Sequence, residues 1–224
     1  MNPTSFEAQR QAMVRQQLMP RGIRDPRVLA ACAKVPRHLF VPPEQRTKSY
    51  LDHPLPIGHG QTISQPYIVA LMTEALGLRP EAKVLDVGTG SGYQTNILAE
   101  LAQLVYTIER IPELLESARH ILQELGIQNV QFRAGDGTLG WPAAAPFDGI
   151  LITAAAPQIP VSLLAQLAEG GRLVIPIGSA FTQNLTVVEK TGGKIQERIL
   201  CSCVFVPLIG AEGWKETEVS PDEV

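Results

Sequence analysis

Val84-Leu85-Asp86-Val87-Gly88-Thr89-Gly90-Ser91-Gly92 is the stretch that decides the fold. An apolar run ends in an acid, and three alternating glycines follow at once. The run reads as a buried strand, and residues 93–102 read as the helix after it. Glycines between the two let the backbone turn tightly and let a ligand approach main-chain N–H groups without meeting a Cβ. Strand, glycine loop and helix in that order are how open α/β sheets hold nucleoside-containing cofactors.

The spacing selects among those cofactors. A nicotinamide fingerprint needs glycine at the sixth place of G-x-G-x-x-G, and that place is Tyr93; the third glycine falls one residue early, at Gly92. Asp86 stands two residues before Gly88, where a carboxylate is expected at the mouth of the loop. A pyrophosphate would be repelled there, whereas a sulfonium and an ammonium group would not. The pattern favours S-adenosylmethionine, with Gly88, Thr89, Gly90, Ser91 and Gly92 around it, and resembles the first motif of the Rossmann-like methyltransferases.

Outward from the loop the chain alternates. A helix is expected from Ile68 through Leu76 with Gly77 as its stop, then strand 83–87, helix 93–102, strand 104–108, helix 112–125, strand 130–133, strand 149–153, helix 160–168 and strand 172–177. Strands alternating with helices predict a doubly wound, mostly parallel α/β sheet. Segments 185–189 and 195–206 are both strand-like and meet at Gly192-Gly193, which supplies the positive φ of a tight hairpin. The expected fold is therefore a Rossmann-like sheet closed by a C-terminal antiparallel hairpin, the class I methyltransferase architecture, and not the second βαβαβ half of a dehydrogenase.

Before the core, residues 6–18 read as a helix lying across a surface, and Asp25-Pro26 as a cap and first turn of a short helix to Lys34. From Pro36 to Pro66 six prolines fall and helical periodicity disappears. Long irregular segments of that kind in compact domains are lids or binding loops. The expected organisation is one domain over residues 1–224, with 1–66 a helical and proline-rich cover and 212–224 a flexible acidic tail.

Composition narrows the class. The 224 residues suit one α/β domain with a sizeable core, 45% of them hydrophobic and 18% charged. A formal net charge of −3, with no dense Lys/Arg block, argues against nucleic acid as a partner. No apolar run approaches a membrane span, and residues 1–15 are polar. Three cysteines give no disulfide framework, and Cys201-x-Cys203 is a weak metal signal. A cytoplasmic chain that uses an organic cofactor and no metal is the natural reading.

Glu109 ends the second strand, about twenty residues after the glycine loop, where a carboxylate accepts both hydroxyl protons of a ribose. Asp136, in Gly135-Asp136-Gly137 after the third strand, is placed to accept from the exocyclic amine of adenine, the glycines allowing close approach. Asp86, Glu109 and Asp136 all fall at carboxyl ends of consecutive strands, which share one crevice. After the fourth strand, Thr153-Ala154-Ala155-Ala156-Pro157 has neither the amide nor the aromatic that methylation of a nucleobase amine uses. Ser64 lies at the expected start of the helix before the first strand, where unpaired N–H groups favour an anion, or where it is simply a cap.

With Val35-Pro36-Arg37, residues 50–56, Gln61-Thr62-Ile63-Ser64-Gln65-Pro66, the glycine loop through Thr95, Gly135-Asp136-Gly137, Ala145-Pro146-Phe147-Asp148 and Gly170-Gly171-Arg172-Leu173-Val174-Ile175-Pro176-Ile177-Gly178, the sequence resembles the protein-L-isoaspartate O-methyltransferases from about Met13 to about Pro207. The resemblance implies methyl transfer from S-adenosylmethionine to the free carboxyl of L-isoaspartyl residues in damaged proteins, leaving S-adenosylhomocysteine. It implies Ser64 as the active-site residue, Thr62, Ile63 and Ser64 beside the cofactor, and Gly137 with Asp136 at its base. A carboxylate is already an anion near neutral pH, so such a transfer needs no general base; none of the four histidines has a context that demands a catalytic role. Two other readings stay open: a methyltransferase of this fold acting on a small carboxylate or other metabolite, and a catalytically silent cofactor-binding domain.

Overall fold

A computed structural model describes residues 5–218. Helix α1 (Phe6–Met13) begins where the Ser5 hydroxyl accepts the Ala8 N–H, and α2 (Pro26–Lys34) where Asp25 accepts the Arg27 N–H, as its sequence predicts. The expected helix 6–18 runs its whole length but changes pitch. At Val14–Leu18 it widens into a π turn, then tightens into a 3₁₀ turn. The extra residue per turn rotates Met13, Val14 and Leu18 together onto the core, where all three are buried.

Between α2 and the sheet lies the proline-rich segment. It carries 3₁₀ turns at Arg37–Leu39 and Pro43–Lys48, then a short antiparallel hairpin, β1 (Leu55–Gly58) and β2 (Gln61–Ile63). The sequence reading saw no strands here. A ladder of three residue pairs that includes Pro56 is too short to leave a period-2 signal, and proline is tolerated only where a strand edge needs no donor.

Next come α3 (Pro66–Leu76), β3 (Lys83–Val87), α4 (Tyr93–Ala99), β4 (Leu104–Glu109), α5 (Pro112–Glu124), β5 (Val130–Ala134), β6 (Phe147–Ile152), α6 (Val161–Ala165), β7 (Leu167–Gly178), β8 (Gln183–Thr191) and β9 (Lys194–Cys203). The seven-stranded sheet has the order β5-β4-β3-β6-β7-β8-β9. The strands from β5 to β7 are parallel, and β8 and β9 are antiparallel, joined through Gly192 and Gly193 at φ 60° and 70°. This is the expected Rossmann-like sheet with its closing hairpin.

Side-chain alternation divides the interior into two cores. Val84, Val105, Leu151 and Val174 pack with α2 to α5 on one face, while Leu85, Val87, Ile150 and Leu173 pack with Leu163 of α6 on the other. Both faces of β3 are thus covered, which is why it reads as a continuous apolar run. The boundary between α6 and β7 differs most from expectation: α6 ends at Ala165, and β7 already starts at Leu167, opposite Phe147. The Gln166 side chain accepts the Trp141 N–H and donates to the carbonyls of Leu139 and Ser162, so tertiary bonds stop the helix early.

Residues 207–218 form a strap across the carboxyl ends of the strands, although a loose tail was expected from Glu212. Ala155 exchanges hydrogen bonds with Val206 and Leu208, Glu212 accepts from the N–H and hydroxyl of Ser162, and Glu216 pairs with Arg110. The small side chains at 154–156 leave room for this strap. Residues 219–224 of the expected tail lie outside the described residues. Among those described, no helix is long and apolar enough to cross a membrane, and no group of three or more His, Cys, Asp or Glu is placed to hold a metal ion.

Candidate active site

A cavity of about 230 Å³ opens at the carboxyl ends of β3, β4 and β6. Its floor is the glycine loop from Gly88 to Ser91. Thr62, Ile63 and Ser64 form one side, Glu109 and Gly137 another, and the strap covers it with Pro207, Leu208 and Ile209. Nine of the twelve residues expected around a cofactor therefore meet at one cavity, from four separate parts of the chain.

The loop is built for close approach. Gly88 has φ 98°, and a Cβ there would come within 2.3 Å of the Thr153 hydroxyl oxygen, which donates to the Gly88 carbonyl at 2.7 Å. Gly92 does not line the cavity. With φ 87°, it opens α4 against α5, where a Cβ would meet Leu122 at 2.7 Å and Ala118 at 3.0 Å. It serves helix packing, the part that the last glycine of such loops commonly plays.

Glu109 is only 6% exposed yet lines the cavity. The Gly90 N–H donates to its Oε2 at 2.9 Å and the Ile111 N–H to its Oε1 at 3.0 Å. Each oxygen keeps lone-pair capacity, so a pair of vicinal hydroxyls still finds two acceptors there.

The other two acids sit elsewhere than expected. Asp86 does not face the mouth of the loop: it is fully buried beneath it and lines no part of the cavity. Its Oδ2 accepts from the hydroxyls of Thr95 at 2.6 Å and Thr107 at 3.1 Å, and Thr107 in turn shares a 2.6 Å hydrogen bond with Thr89 of the loop. Oδ1 is buried with no partner among the described residues. Burial pushes the Asp86 carboxyl up to about 7, against the two threonine hydrogen bonds that favour its charged form.

Asp136, expected to accept from the adenine amine, is not among the residues that line the cavity. Its Oδ1 accepts from the N–H and hydroxyl of Thr138 at 2.8 and 2.7 Å, and its Oδ2 from the Ala211 N–H at 2.7 Å. The strap approaches so closely that a Cβ on Gly210 would lie 2.1 Å from Oδ1. Asp136 caps a 3₁₀ turn and anchors the strap, leaving Gly137 to reach the cavity.

A second, larger cavity of about 600 Å³ adjoins the first. Pro54 and Gln65 from the cover, Gln183 from β8, and residues 202–206 at and just after the end of the edge strand β9 line it. Thr62, Ser64, Thr153 and Pro207 belong to both cavities. The cap of α3 is Gln65, without a side-chain bond, so Ser64 is not the helix cap. Its carbonyl accepts from Arg37, and its half-buried hydroxyl makes no hydrogen bond among the described residues.

Sequence reasoning missed Thr153, Arg110 and the strap residues. Only a threonine at the end of a strand could have signalled the first. The strap has no local signal, because its place depends on contacts with Ala155 and Asp136 far back in the chain.

Comparison with known proteins agrees with this geometry. The family model described as protein-L-isoaspartate(D-aspartate) O-methyltransferase matches residues 8–213. A protein-L-isoaspartate O-methyltransferase of Methanoregula boonei is 55% identical over 207 residues, covering 92% of this chain and 95% of that one. One from Syntrophobacter fumaroxidans is 54% identical over 211 residues, covering 94% and 99%. Among solved structures, a protein-L-isoaspartate O-methyltransferase superposes with TM-score 0.81 at 28% identity, over 91% of this chain and 67% of its own. A Plasmodium falciparum chain assigned to the same activity and solved with S-adenosyl-L-homocysteine gives 0.79 at 29% identity, over 89% and 98%.

Proposed function

The chain belongs to the protein-L-isoaspartate(D-aspartate) O-methyltransferase family, and from that premise we infer that it methylates the free carboxyl of L-isoaspartyl residues in damaged proteins. The observation that carries the reading is the junction of the two cavities at Ser64 and Thr153. One cavity has the cradle of an S-adenosylmethionine site; the other is open enough for a polypeptide segment.

The residues fit that cofactor. Residues 88–91 line the cavity with glycine at Gly88 and Gly90, and Glu109 offers both oxygens to ribose hydroxyls. When bound there, S-adenosylmethionine supplies a methyl group activated on a sulfonium, which a carboxylate accepts as its methyl ester while S-adenosylhomocysteine departs. The chain's own task is to bring a carboxylate into line and keep water out. The Ser64 hydroxyl orients the anion without holding it as tightly as a cationic side chain would. Residues 202–206 and Pro54 offer a wall where the sequence around the damaged residue can vary.

Residues 36–66 act in this reading as a cover that orders over the site when ligands bind, with residues 5–35 docked behind them. Free cysteines and the absence of a basic block support a cytoplasmic enzyme without a nucleic-acid partner. Transfer of labelled methyl to an isoaspartyl peptide beside its aspartyl twin, and beside free small carboxylates, tests the assignment. Labelling of the isoaspartyl peptide alone is expected. Equal labelling of the aspartyl twin, or labelling only of small carboxylates, overturns it.

A further inference from the structure

Arg37 is a fully buried arginine with no carboxylate within ion-pair distance among the described residues. Its guanidinium bridges two turns of the cover. Nε donates to the Ser49 carbonyl and Nη2 to the Ser64 carbonyl, each at 2.7 Å, while Nη1 has no partner. The guanidinium carbon lies 4.8 Å from the ring centroid of Tyr93, the residue that opens α4 just after the glycine loop and lines the first cavity. Burying an unpaired cation is unfavourable, so an apolar side chain would be the cheaper filler here. Only the planar fork of arginine donates in two directions at once while stacking on a ring. The far side of the same segment is held as well, since the Tyr67 N–H donates to Asp52 Oδ1 at 2.9 Å. Ser64 is thus fixed from both flanks while its hydroxyl stays unengaged.

We propose that Arg37 is the positioning residue of the methyl-transfer site, setting the backbone of Ser64 through its carbonyl and locking that segment to the glycine loop through Tyr93. The cation sits behind the backbone rather than in the cleft. It therefore orients the acceptor site without pairing with the incoming carboxylate, which would quench the nucleophile. Burial draws its pKa down to about 10, so it stays protonated at neutral pH. The proposal rests on Ser64 as the residue that meets the isoaspartyl carboxylate, and its test separates the two ideas.

The experiment compares wild type, Arg37→Lys, Ser64→Ala and the double variant, with rates expressed per S-adenosylhomocysteine site titrated by calorimetry. Arg37→Lys keeps the charge and loses the fork. Its expected effect is at least about a tenfold lower kcat on an isoaspartyl peptide, with KM for S-adenosylmethionine within about twofold. Added to Ser64→Ala, it should slow the enzyme by no more than about twofold, because both changes remove one function. If Arg37→Lys does not fold, Arg37→Gln, with a neutral planar head, takes its place. A wild-type kcat in the variant overturns the proposal, as do fully multiplicative effects in the double variant with Ser64→Ala itself slow. An unaltered Ser64→Ala overturns the Ser64 reading and this one with it.

Discussion

Gly90 donates its backbone N–H to Glu109 Oε2 at 2.9 Å, so the residue that ends β4 holds the glycine loop that follows β3. The same carboxylate that faces the cavity therefore also shapes its floor. Ligand affinity and loop geometry are coupled at this one side chain.

Replacing Glu109 with Ala should weaken binding of S-adenosylmethionine by about 1–3 kcal/mol, the scale of charge-assisted hydrogen bonds lost. The orphaned N–H groups of Gly90 and Ile111 should lower thermal stability as well. Glu109→Gln keeps one acceptor oxygen and should recover part of both. Calorimetry and melting on the same preparations check this; unchanged affinity in Glu109→Ala would remove the residue from the site.

Ser64→Ala is expected to fold and bind cofactor as wild type does, because Gln65 and not Ser64 occupies the cap position of α3. A hydrogen bond to a charged group contributes roughly 1.5–3 kcal/mol, so methylation of an isoaspartyl peptide should slow at least about tenfold. A drop in melting temperature with an unaltered rate per folded molecule would make the residue structural only.

Asp86 gives the folded protein a pH dependence of definite sign. Its carboxyl titrates at about 7 when folded and near 3.8 when not. Between those values the folded state holds the extra proton, so this group's contribution to stability falls as pH rises through that window and is level above it. The melting temperature of wild type should therefore decline more between about pH 5 and pH 8 than that of Asp86→Asn, which cannot titrate. Parallel profiles for the two proteins would show that the carboxyl is not perturbed.

Gly92→Ala should destabilise the fold by about 2–4 kcal/mol, combining a left-handed backbone with overpacking against Leu122 and Ala118. Gly126→Ala is the matched control, since φ there is also positive, at 73°, but nothing lies within 4 Å. It should lose only about 1–2 kcal/mol. Denaturant unfolding of the pair isolates the packing part; equal losses would mean that α4 and α5 yield at that contact.

Local pattern was enough for the elements that carry the site. The bounds of β3 follow from an apolar run ended by glycine, and the β8–β9 turn follows from two adjacent glycines with positive φ. Asp25 at the start of α2 and Gly77 at the end of α3 are likewise signals written within a few residues of what they control. The glycine loop and Glu109 could be brought to one crevice on paper, because a doubly wound sheet collects the carboxyl ends of its strands on one side; the family resemblance, and no local signal, implied that Thr62, Ile63 and Ser64 join them.

What a carboxylate does there was settled by tertiary contacts alone. Asp86 and Asp136 stand at the right strand ends, yet one lies under the loop against Thr95 and Thr107, and the other is taken by Thr138 and the strap. The same holds for the π turn after α1, the early end of α6, the β1–β2 hairpin and the docking of residues 207–218. The end of α6 and the docking of residues 207–218 depend on hydrogen-bond partners tens of residues away, and the hairpin on a ladder of three pairs, none of which a local period records. Sequence determined which groups reach the crevice, because strand and helix signals act over a few residues; the structure decided which of them line the cavity, because that turns on packing between distant segments.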